Sequence, residues 1–152
     1  MKPFPGPIAD WLKTPDGQLV FVDEINHRLL VGDNSGPLRE VTSGFRYPRS
    51  ITVFDSRAYV VDSWNDRVVT FRLPDWKPEF EFGGFFCPSA IAVVHDLLVI
   101  ADTNNRRLSF HKADGACSFT VGVDGFPKRV SIDEENAIVV HYDNGQTETL
   151  HY

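Results

Sequence analysis

The chain has 152 residues and a formal net charge of −6, from 15 Lys and Arg residues against 21 Asp and Glu residues. This length suits one domain, and the acidic balance argues against nucleic acid or an anionic membrane as the main partner. No apolar run approaches the roughly 20 residues of a membrane-spanning helix, and the first seven residues do not resemble a secretion signal. We therefore expect a soluble, cytoplasmic protein.

A repeat of about 40 residues organises the chain. The motif Asp-x-x-Asn-x-Arg follows an apolar run in each of its three copies, which begin at Asp23, Asp62 and Asp102. A second marker agrees with it: prolines recur at intervals of 41, 40 and 39 residues, at Pro7, Pro48, Pro88 and Pro127. These markers predict one domain over residues 1–152, built from four units at about 7–45, 46–85, 86–125 and 126–152.

Each unit has the pattern of several short strands. In the second unit, apolar and polar residues alternate over 79–82, and turn residues at 55–56, 74–75 and 83–84 separate the apolar runs. No 3.6-residue period persists over the length of a helix. Four strands every 40 residues is the organisation of a propeller blade. The sequence therefore predicts an all-β fold, a β-propeller or partial propeller of four four-stranded blades.

The fourth unit departs from the others. His141 stands at the expected Asp position and Gln146 at the Arg position, although Asn144 is retained. After residues 146–152, its third strand, nothing remains for a fourth strand, and the prolines within residues 1–7 are poor donors to a closing strand. Two architectures stay open, a small four-bladed ring or an open arc. An arc exposes an unpaired strand edge and predicts self-association into a homo-oligomer.

The three motif copies, together with Gly-Phe-Phe-Cys-Pro at 84–88 and its variants at 44–48 and 125–127, resemble the NHL repeat. The likeness covers almost the whole chain. It implies a β-propeller, most often six-bladed in this family, that serves as a binding surface. Some related propellers are enzymes, such as amidating lyases and calcium-dependent lactonases, and some animal NHL propellers bind RNA.

The Asp and Arg of each motif lie five residues apart across a tight turn. We interpret the pairs as structural clamps rather than catalytic acids, because both members disappear together in the fourth unit. The predicted clamp pairs are Asp23 with Arg28, Asp62 with Arg67, and Asp102 with Arg107. The motif asparagines are predicted to adopt positive φ in the turns, at Asn26, Asn65, Asn105 and Asn144.

The residues that vary between the copies are candidates for a binding surface, because propeller loops of this kind emerge on one face. Trp64 is unusual in a polar turn, since tryptophan is typical of interfaces; the alternative is that it covers a neighbouring loop. The predicted binding residues are Ile25, His27, Trp64, Asp66, Arg106 and Tyr142.

No catalytic, metal or cofactor site is predicted, because no two histidines share an equivalent position on the innermost strands. Cys87 and Cys117 are interpreted as free, buried thiols. The basic residues of a candidate RNA patch are Arg46, Arg49, Arg106, Arg107, Lys128 and Arg129, although the net charge opposes that reading. The sequence thus predicts a non-catalytic NHL-type module that binds a protein or peptide and associates with itself. A propeller enzyme of lyase or lactonase type and an RNA-binding NHL domain are the alternatives.

Overall fold

A computed structural model describes residues 7–33 and 35–152. Apart from two single-turn 3₁₀ helices, Ser63–Asn65 and Thr103–Asn105, the regular structure of these residues is strand. The strands are β1 (Asp10–Lys13), β2 (Leu19–Asp23), β3 (Arg28–Gly32), β4 (Arg39–Val41), β5 (Pro48–Phe54), β6 (Arg57–Asp62), β7 (Arg67–Arg72), β8 (Lys77–Gly83), β9 (Ala90–Val94), β10 (Leu97–Asp102), β11 (Arg107–His111), β12 (Cys117–Gly122), β13 (Pro127–Ile132), β14 (Ile138–Tyr142) and β15 (Thr147–Leu150).

The strands form four antiparallel sheets, and each sheet pairs consecutive strands in chain order. The first three sheets contain four strands each, and β13–β15 form the fourth. Each sheet lies within one of the four units predicted from the repeat, and we call them blades 1–4. The predicted all-β fold, a β-propeller of four blades with an incomplete last blade, is confirmed. None of the described residues belongs to a helix that could span a membrane.

Both faces of the central blades are apolar, which explains the consecutive buried apolar residues of their middle strands. In β6, Val60 packs towards blade 1, whereas its neighbour Val61 packs towards blade 3. Successive side chains of a strand point to opposite faces, so a blade with a neighbour on each side needs apolar residues at consecutive positions. The same reasoning explains β10, in which Val99 and Ile100 belong to different apolar clusters.

Three apolar clusters hold the blades together, one at each interface between consecutive blades. The first joins Val22 and Val31 of blade 1 to Ile51 and Phe71 of blade 2. A phenylalanine from the loop before the blade joins the cluster at two of the interfaces, Phe45 in the first and Phe85 in the second. These two residues belong to the Gly-Phe openings that the sequence singled out.

Blades 1 and 4 are the ends of the array. The innermost strands pack in succession, β1 on β5, β5 on β9 and β9 on β13. Among the described elements, no comparable packing joins β13 to β1, and no fourth apolar cluster lies between those blades. This arrangement agrees with the open-arc alternative. The prediction that the N-terminal prolines supply no closing strand falls almost wholly on residues 1–6, outside the described residues.

The fourth turn is one residue out of register with the prediction. Tyr142 lies opposite Pro127, just as Asp62 lies opposite Pro48, so Tyr142 and not His141 occupies the Asp position. The hairpin is also shorter, because the Tyr142 N–H donates to the Gln146 carbonyl, whereas Asp62 pairs with Arg67. Counting 14 residues forward from Pro127 missed this difference because the hairpin between β13 and β14 is one residue longer than the one between β5 and β6, so Tyr142 lies 15 residues after Pro127.

Candidate functional site

One side of the molecule carries all four turns between the second and third strands of the blades. We call these the marked turns, and the segments that lead into each blade the connecting loops. Backbone hydrogen bonds join the two: Trp64 N–H donates to the Arg46 carbonyl at 3.0 Å, and Asn104 N–H to the Phe86 carbonyl at 3.1 Å. Asp143 does the same to Phe126 in blade 4. Marked turns and connecting loops therefore form one surface, here called the loop face.

In blades 1–3 the motif Asp and Arg side chains are in direct contact. The Arg Nε atom lies 2.9, 2.8 and 2.7 Å from the Asp Oδ2 atom in blades 1, 2 and 3. Asp62 and Asp102 have no exposed side-chain surface, while their arginines remain partly accessible. The motif asparagine donates its Nδ2–H to the same carboxylate in each blade, at 2.8 Å from Asn65 to Asp62. We call these three side chains the clamp of a blade.

The clamp also fixes the connecting loop of its own blade. The second oxygen of Asp62 accepts the Arg46 N–H at 2.8 Å, and the second oxygen of Asp102 accepts the Phe86 N–H at the same distance. Arg67 Nη2 donates to the Ser43 carbonyl at 2.6 Å. Each buried carboxylate thus has its acceptor positions satisfied by several donors, as a buried charge requires.

The positive-φ residues of the marked turns are not the asparagines, so that prediction is wrong. The left-handed conformation falls one residue later, on His27 (φ 56°), Asp66 (φ 55°) and Arg106 (φ 50°). The asparagines instead turn their side chains inward to the Asp carboxylates. In blade 4, where the clamp is missing, Gly145 takes the left-handed conformation (φ 86°), which glycine adopts without steric cost.

These left-handed residues contact the next blade, and we call them the bridging residues. His27 Nδ1 accepts the Tyr47 N–H at 2.9 Å, and Asp66 Oδ1 accepts the Cys87 N–H at 2.8 Å. The Arg106 guanidinium lies 4.4 Å from the centre of the Phe126 ring. Three of the six predicted binding residues therefore join neighbouring blades, in addition to any contact with a partner.

The other predicted residues of blades 1 and 2 are exposed on the loop face. Ile25 has 61% of its surface accessible and Trp64 has 49%. Trp64 contacts Tyr47, with ring centroids 4.4 Å apart, and Tyr47 contacts His27 at 4.5 Å. The Trp64 ring thus packs on the Tyr47 ring of the connecting loop of its own blade, and about half of its surface stays open to a partner.

Sequence reasoning missed Phe86, which is 52% exposed on the connecting loop of blade 3. A usable signal was present, because the opening reads Gly-Phe-Phe where the second unit has Gly-Phe-Arg. The first phenylalanine of the pair, Phe85, is buried between blades 2 and 3. A second aromatic beside the buried one points away from the core.

Tyr142 is not part of the exposed set. Its ring packs against the apolar cluster between blades 3 and 4, and its hydroxyl donates to Glu148 Oε2 at 2.7 Å. Burial and the adjacent Glu148 carboxylate raise the pKa of Tyr142 well above that of a free tyrosine. The structure therefore brings Ile25 and Trp64 together with Phe86 on the loop face, and leaves Tyr142 at the edge of the core.

A cavity of about 510 Å³ opens where the innermost strands begin. Equivalent positions of the four first strands line it, as their pairing partners establish: Asp10, Ser50, Ala90 and Arg129. Asp10 Oδ2 accepts the Ile51 N–H at 3.1 Å and the Ser50 hydroxyl at 3.3 Å. Burial raises the pKa of Asp10 despite these hydrogen bonds.

The basic residues of the candidate RNA patch are divided among different tasks. Arg107 is held by its clamp, Arg49 pairs with Glu24 at 3.3 Å, and Arg106 covers the Phe126 ring. In the described part of the chain, no ion pair holds Arg46, Lys128 or Arg129. Three of the six residues are thus engaged in contacts within the protein, and the other three form no ion pair in the described part of the chain.

The histidines do not converge. Across residues 7–33 and 35–152, no group of three His, Cys, Asp or Glu side chains has the arrangement of a metal site. Both cysteines are free, but Cys87 is half-buried and Cys117 exposed, so the prediction that they are buried is wrong. His111 is buried between blades 2 and 3, where its ring contacts the rings of Phe82 and Phe85. Its Nδ1–H donates to the Gly115 carbonyl at 2.9 Å, so Nε2 accepts the Ser109 hydroxyl at 2.7 Å. Burial lowers the pKa of His111 and favours this neutral form.

No family model and no curated protein matches the chain. Solved structures do match it. Virginiamycin B lyase from Staphylococcus aureus is 16% identical with a TM-score of 0.77, over 97% of this chain and 57% of the lyase chain. A luciferin-regenerating enzyme is 14% identical with a TM-score of 0.71, over 90% of this chain and 54% of the other. The WD40 β-propeller domain of Doa1 is 9% identical with a TM-score of 0.79, over 93% and 50%.

The chain therefore spans about half the length of the solved chains that it matches. Two of them are named as enzymes and one as a WD40 domain. Identities this low carry the fold and not the activity. By its own sheets and by these likenesses, the chain is a β-propeller of four blades.

Proposed function

We propose that this chain is a cytoplasmic, non-catalytic NHL-type module that binds a protein or peptide segment on its loop face. The observation that carries the proposal is the exposure of Ile25, Trp64 and Phe86 on that face. Large apolar side chains that stay exposed on otherwise polar loops are typical of interaction surfaces, and aromatic residues supply much of the binding energy at such surfaces.

The clamps support the same proposal. An interface gains affinity when its residues are already ordered before the partner arrives. Trp64 lies in a turn whose ends are fixed by Asp62 and Arg67, and its backbone N–H is bonded to Arg46. The turn is ordered by buried side chains, so its outward residues are free to differ between blades without loss of the frame.

The assignment to NHL repeats is also part of the proposal. It rests on three copies of Asp-x-x-Asn-x-Arg, each with the same contacts between its three named side chains, and on the Gly-Phe openings that pack at the blade interfaces. The motif residues thus have a common structural task, which is what a repeat family retains while its binding residues vary.

Two matched tryptophan variants test the binding face. Peptides are selected from a phage-displayed random library against the immobilised chain, synthesised, and measured by fluorescence anisotropy. Trp64→Ala is expected to weaken the selected peptides about 30-fold, the effect of losing a central aromatic contact. Trp11→Ala is the control, because Trp11 is 60% exposed. Its strand neighbour Leu12 packs against the cluster between blades 1 and 2, so Trp11 points to the free face of blade 1 and not to the loop face. Equal affinities of both variants, or failure to select any peptide, would contradict the proposal.

We further propose that the chain associates with itself through its end blades. Blade 4 has an edge strand, β15, that no other strand of the described chain covers. Light scattering after size exclusion is expected to give a mass above 17.2 kDa at low micromolar concentration. Thr149→Lys places a charge on the exposed edge strand, which disfavours strand pairing, and should lower the mass. A single 17.2 kDa species for the unmodified chain would exclude self-association.

A further inference from the structure

The cavity where the innermost strands begin carries a charge pattern that neither the clamps nor the loop-face proposal uses. We infer that it binds a small zwitterion, a free amino acid or a short peptide with both ends free. Asp10 would hold the ammonium group and Arg129, helped by Lys128, the carboxylate. This inference does not depend on the proposed function, because its residues differ from Ile25, Trp64 and Phe86.

The charge of Asp10 is not explained by its contacts with the protein. Its carboxylate bridges to blade 2 by accepting the Ile51 N–H at 3.1 Å. At the equivalent position of blade 2, Ser50 bridges to blade 3 in the same way, accepting the Ile91 N–H at 3.2 Å through a neutral hydroxyl. A serine therefore suffices for the bridge, and Ala90 occupies the position in blade 3 without one. Burying the Asp10 carboxylate costs more free energy than burying the Ser50 hydroxyl, although both make the same bridge. The charge of Asp10 is therefore expected to have a further use.

Arg129 provides the opposite charge at the equivalent position of blade 4. Its guanidinium acts electrostatically on Asp10, yet within the described residues the two side chains form no ion pair within 4.0 Å. Both residues line the same cavity. Opposite charges that face one space without touching leave room for a molecule that carries the complementary charge at each end.

Of the other three charged residues that line the cavity, two pair with each other and one is a cation without an ion pair in the described chain. Glu24 and Arg49, which also line it, form an ion pair at 3.3 Å. Lys128 lies next to Arg129 and adds a second positive charge without an ion-pair partner in the described chain. The carboxylate end of a ligand therefore meets two cations. Its ammonium end meets the Asp10 carboxylate, whose hydrogen bonds do not fully offset the cost of its burial.

The size and the lining set the ligand class. A volume of about 510 Å³ falls within the range of small-molecule sites, roughly 300–1,000 Å³. Apolar side chains share the wall with the charges, at Ala9, Ala90, Ile91 and Val130. These accept small aliphatic side chains, so alanine and trialanine are suitable probes.

Titration calorimetry with four probes tests the inference: alanine, trialanine, N-acetyl-trialanine and trialanine amide. The unmodified chain is expected to bind alanine, trialanine or both, and the strength of each separates an amino-acid site from a peptide site. Acetylation and amidation should each weaken trialanine about tenfold, because each removes one charge. If all four probes bind alike, or if neither alanine nor trialanine binds at millimolar concentration, the inference fails.

Two variants test which residue binds each charged end of the ligand. Asp10→Asn should weaken trialanine about tenfold and abolish the effect of acetylation, and Arg129→Gln should abolish the effect of amidation. Asp96→Asn and Arg46→Gln are matched controls on exposed residues outside the cavity and should leave binding unchanged, as should Trp64→Ala. Circular dichroism melts establish that each variant is folded. Loss of zwitterion binding in Trp64→Ala but not in Asp10→Asn would assign the ligand to the loop face and overturn the inference.

Discussion

The marked turns of blades 1–3 and the turn of blade 4 occupy the same place in their sheets but are held in different ways. In the first three, a buried Asp carboxylate gathers an Arg, an Asn and, in blades 2 and 3, a backbone N–H of the connecting loop. In blade 4, Tyr142 replaces the Asp and the turn is closed locally. The Asn144 side chain accepts the Gln146 N–H at 2.9 Å, and Gly145 supplies the left-handed residue.

The difference teaches what the clamp is for. A three-residue loop with Asn-Gly, residues 143–145, closes without a buried charge, so forming the turn does not require the clamp. The clamped turns differ in having a following blade, which their bridging residues contact through His27, Asp66 and Arg106. We interpret the clamp as the device that holds a longer turn in the position from which it reaches the next connecting loop.

Removing a buried clamp carboxylate is the largest expected effect. Asp62→Ala leaves Arg67, Asn65 and the Arg46 N–H without their common acceptor, and breaking a buried ion pair on one side costs about 3–5 kcal/mol. Urea denaturation measures the free energy of unfolding. Asp143→Ala, in the fourth turn, is the control and should cost less than about 0.5 kcal/mol. A loss below 1 kcal/mol for Asp62→Ala would mean that the clamp is dispensable in blade 2 as well.

Removing a bridging side chain should cost less. Asp66→Ala deletes the acceptor of the Cys87 N–H and places alanine at positive φ, for a combined loss of about 1–2 kcal/mol. Asp66→Asn keeps both the acceptor oxygen and the tolerance of positive φ, and should stay within about 0.5 kcal/mol of the unmodified chain. If the Asn variant is as unstable as the Ala variant, the contact depends on charge rather than on the hydrogen bond.

The effect of His111 on the pH dependence of the free energy of unfolding should be smaller than the effect of removing Asp66. The pKa of His111 in the folded chain is lowered by burial, so the unfolded chain binds a proton first as the pH falls below about 6.5. Stability is therefore complete above that pH and declines as the pH falls towards the folded pKa. His111→Gln should flatten the change between pH 7 and pH 5 in urea midpoints. An unchanged slope in the variant would assign the acid sensitivity to other groups.

The sequence was sufficient to predict the repeat, the strands and the clamp partners, because all three depend on the order and spacing of residues within a single repeat unit. It was insufficient where the outcome depends on two units at once. The contacts of His27 with Tyr47 and of Asp66 with Cys87 require the rotation between neighbouring sheets, which no single unit encodes. Phe86 is an intermediate case. The Gly-Phe-Phe opening records a second aromatic residue, but which of the two is buried follows from the packing of Phe85 at the blade interface.

The predictions for the fourth turn and for the positive-φ residues were wrong for a different reason. One extra residue in the hairpin between β13 and β14 moved Tyr142 to the Asp position, and composition does not reveal which residue of a turn is left-handed. Asn65 was the natural choice by preference, but its side chain is needed at Asp62, so Asp66 takes the strained conformation. Local preference gave way to the hydrogen-bond requirement of a buried carboxylate.

Amide hydrogen exchange in the unmodified chain and in a mild clamp variant tests most directly whether the Asp carboxylate holds the loop face in place. In Asp62→Asn, whose oxygen and amide cannot serve all the former donors, we expect the Arg46 and Trp64 amides to lose protection while the Phe86 amide, held by Asp102, keeps it. Equal protection of the three amides in both proteins, or a uniform loss across all blades, would contradict the account.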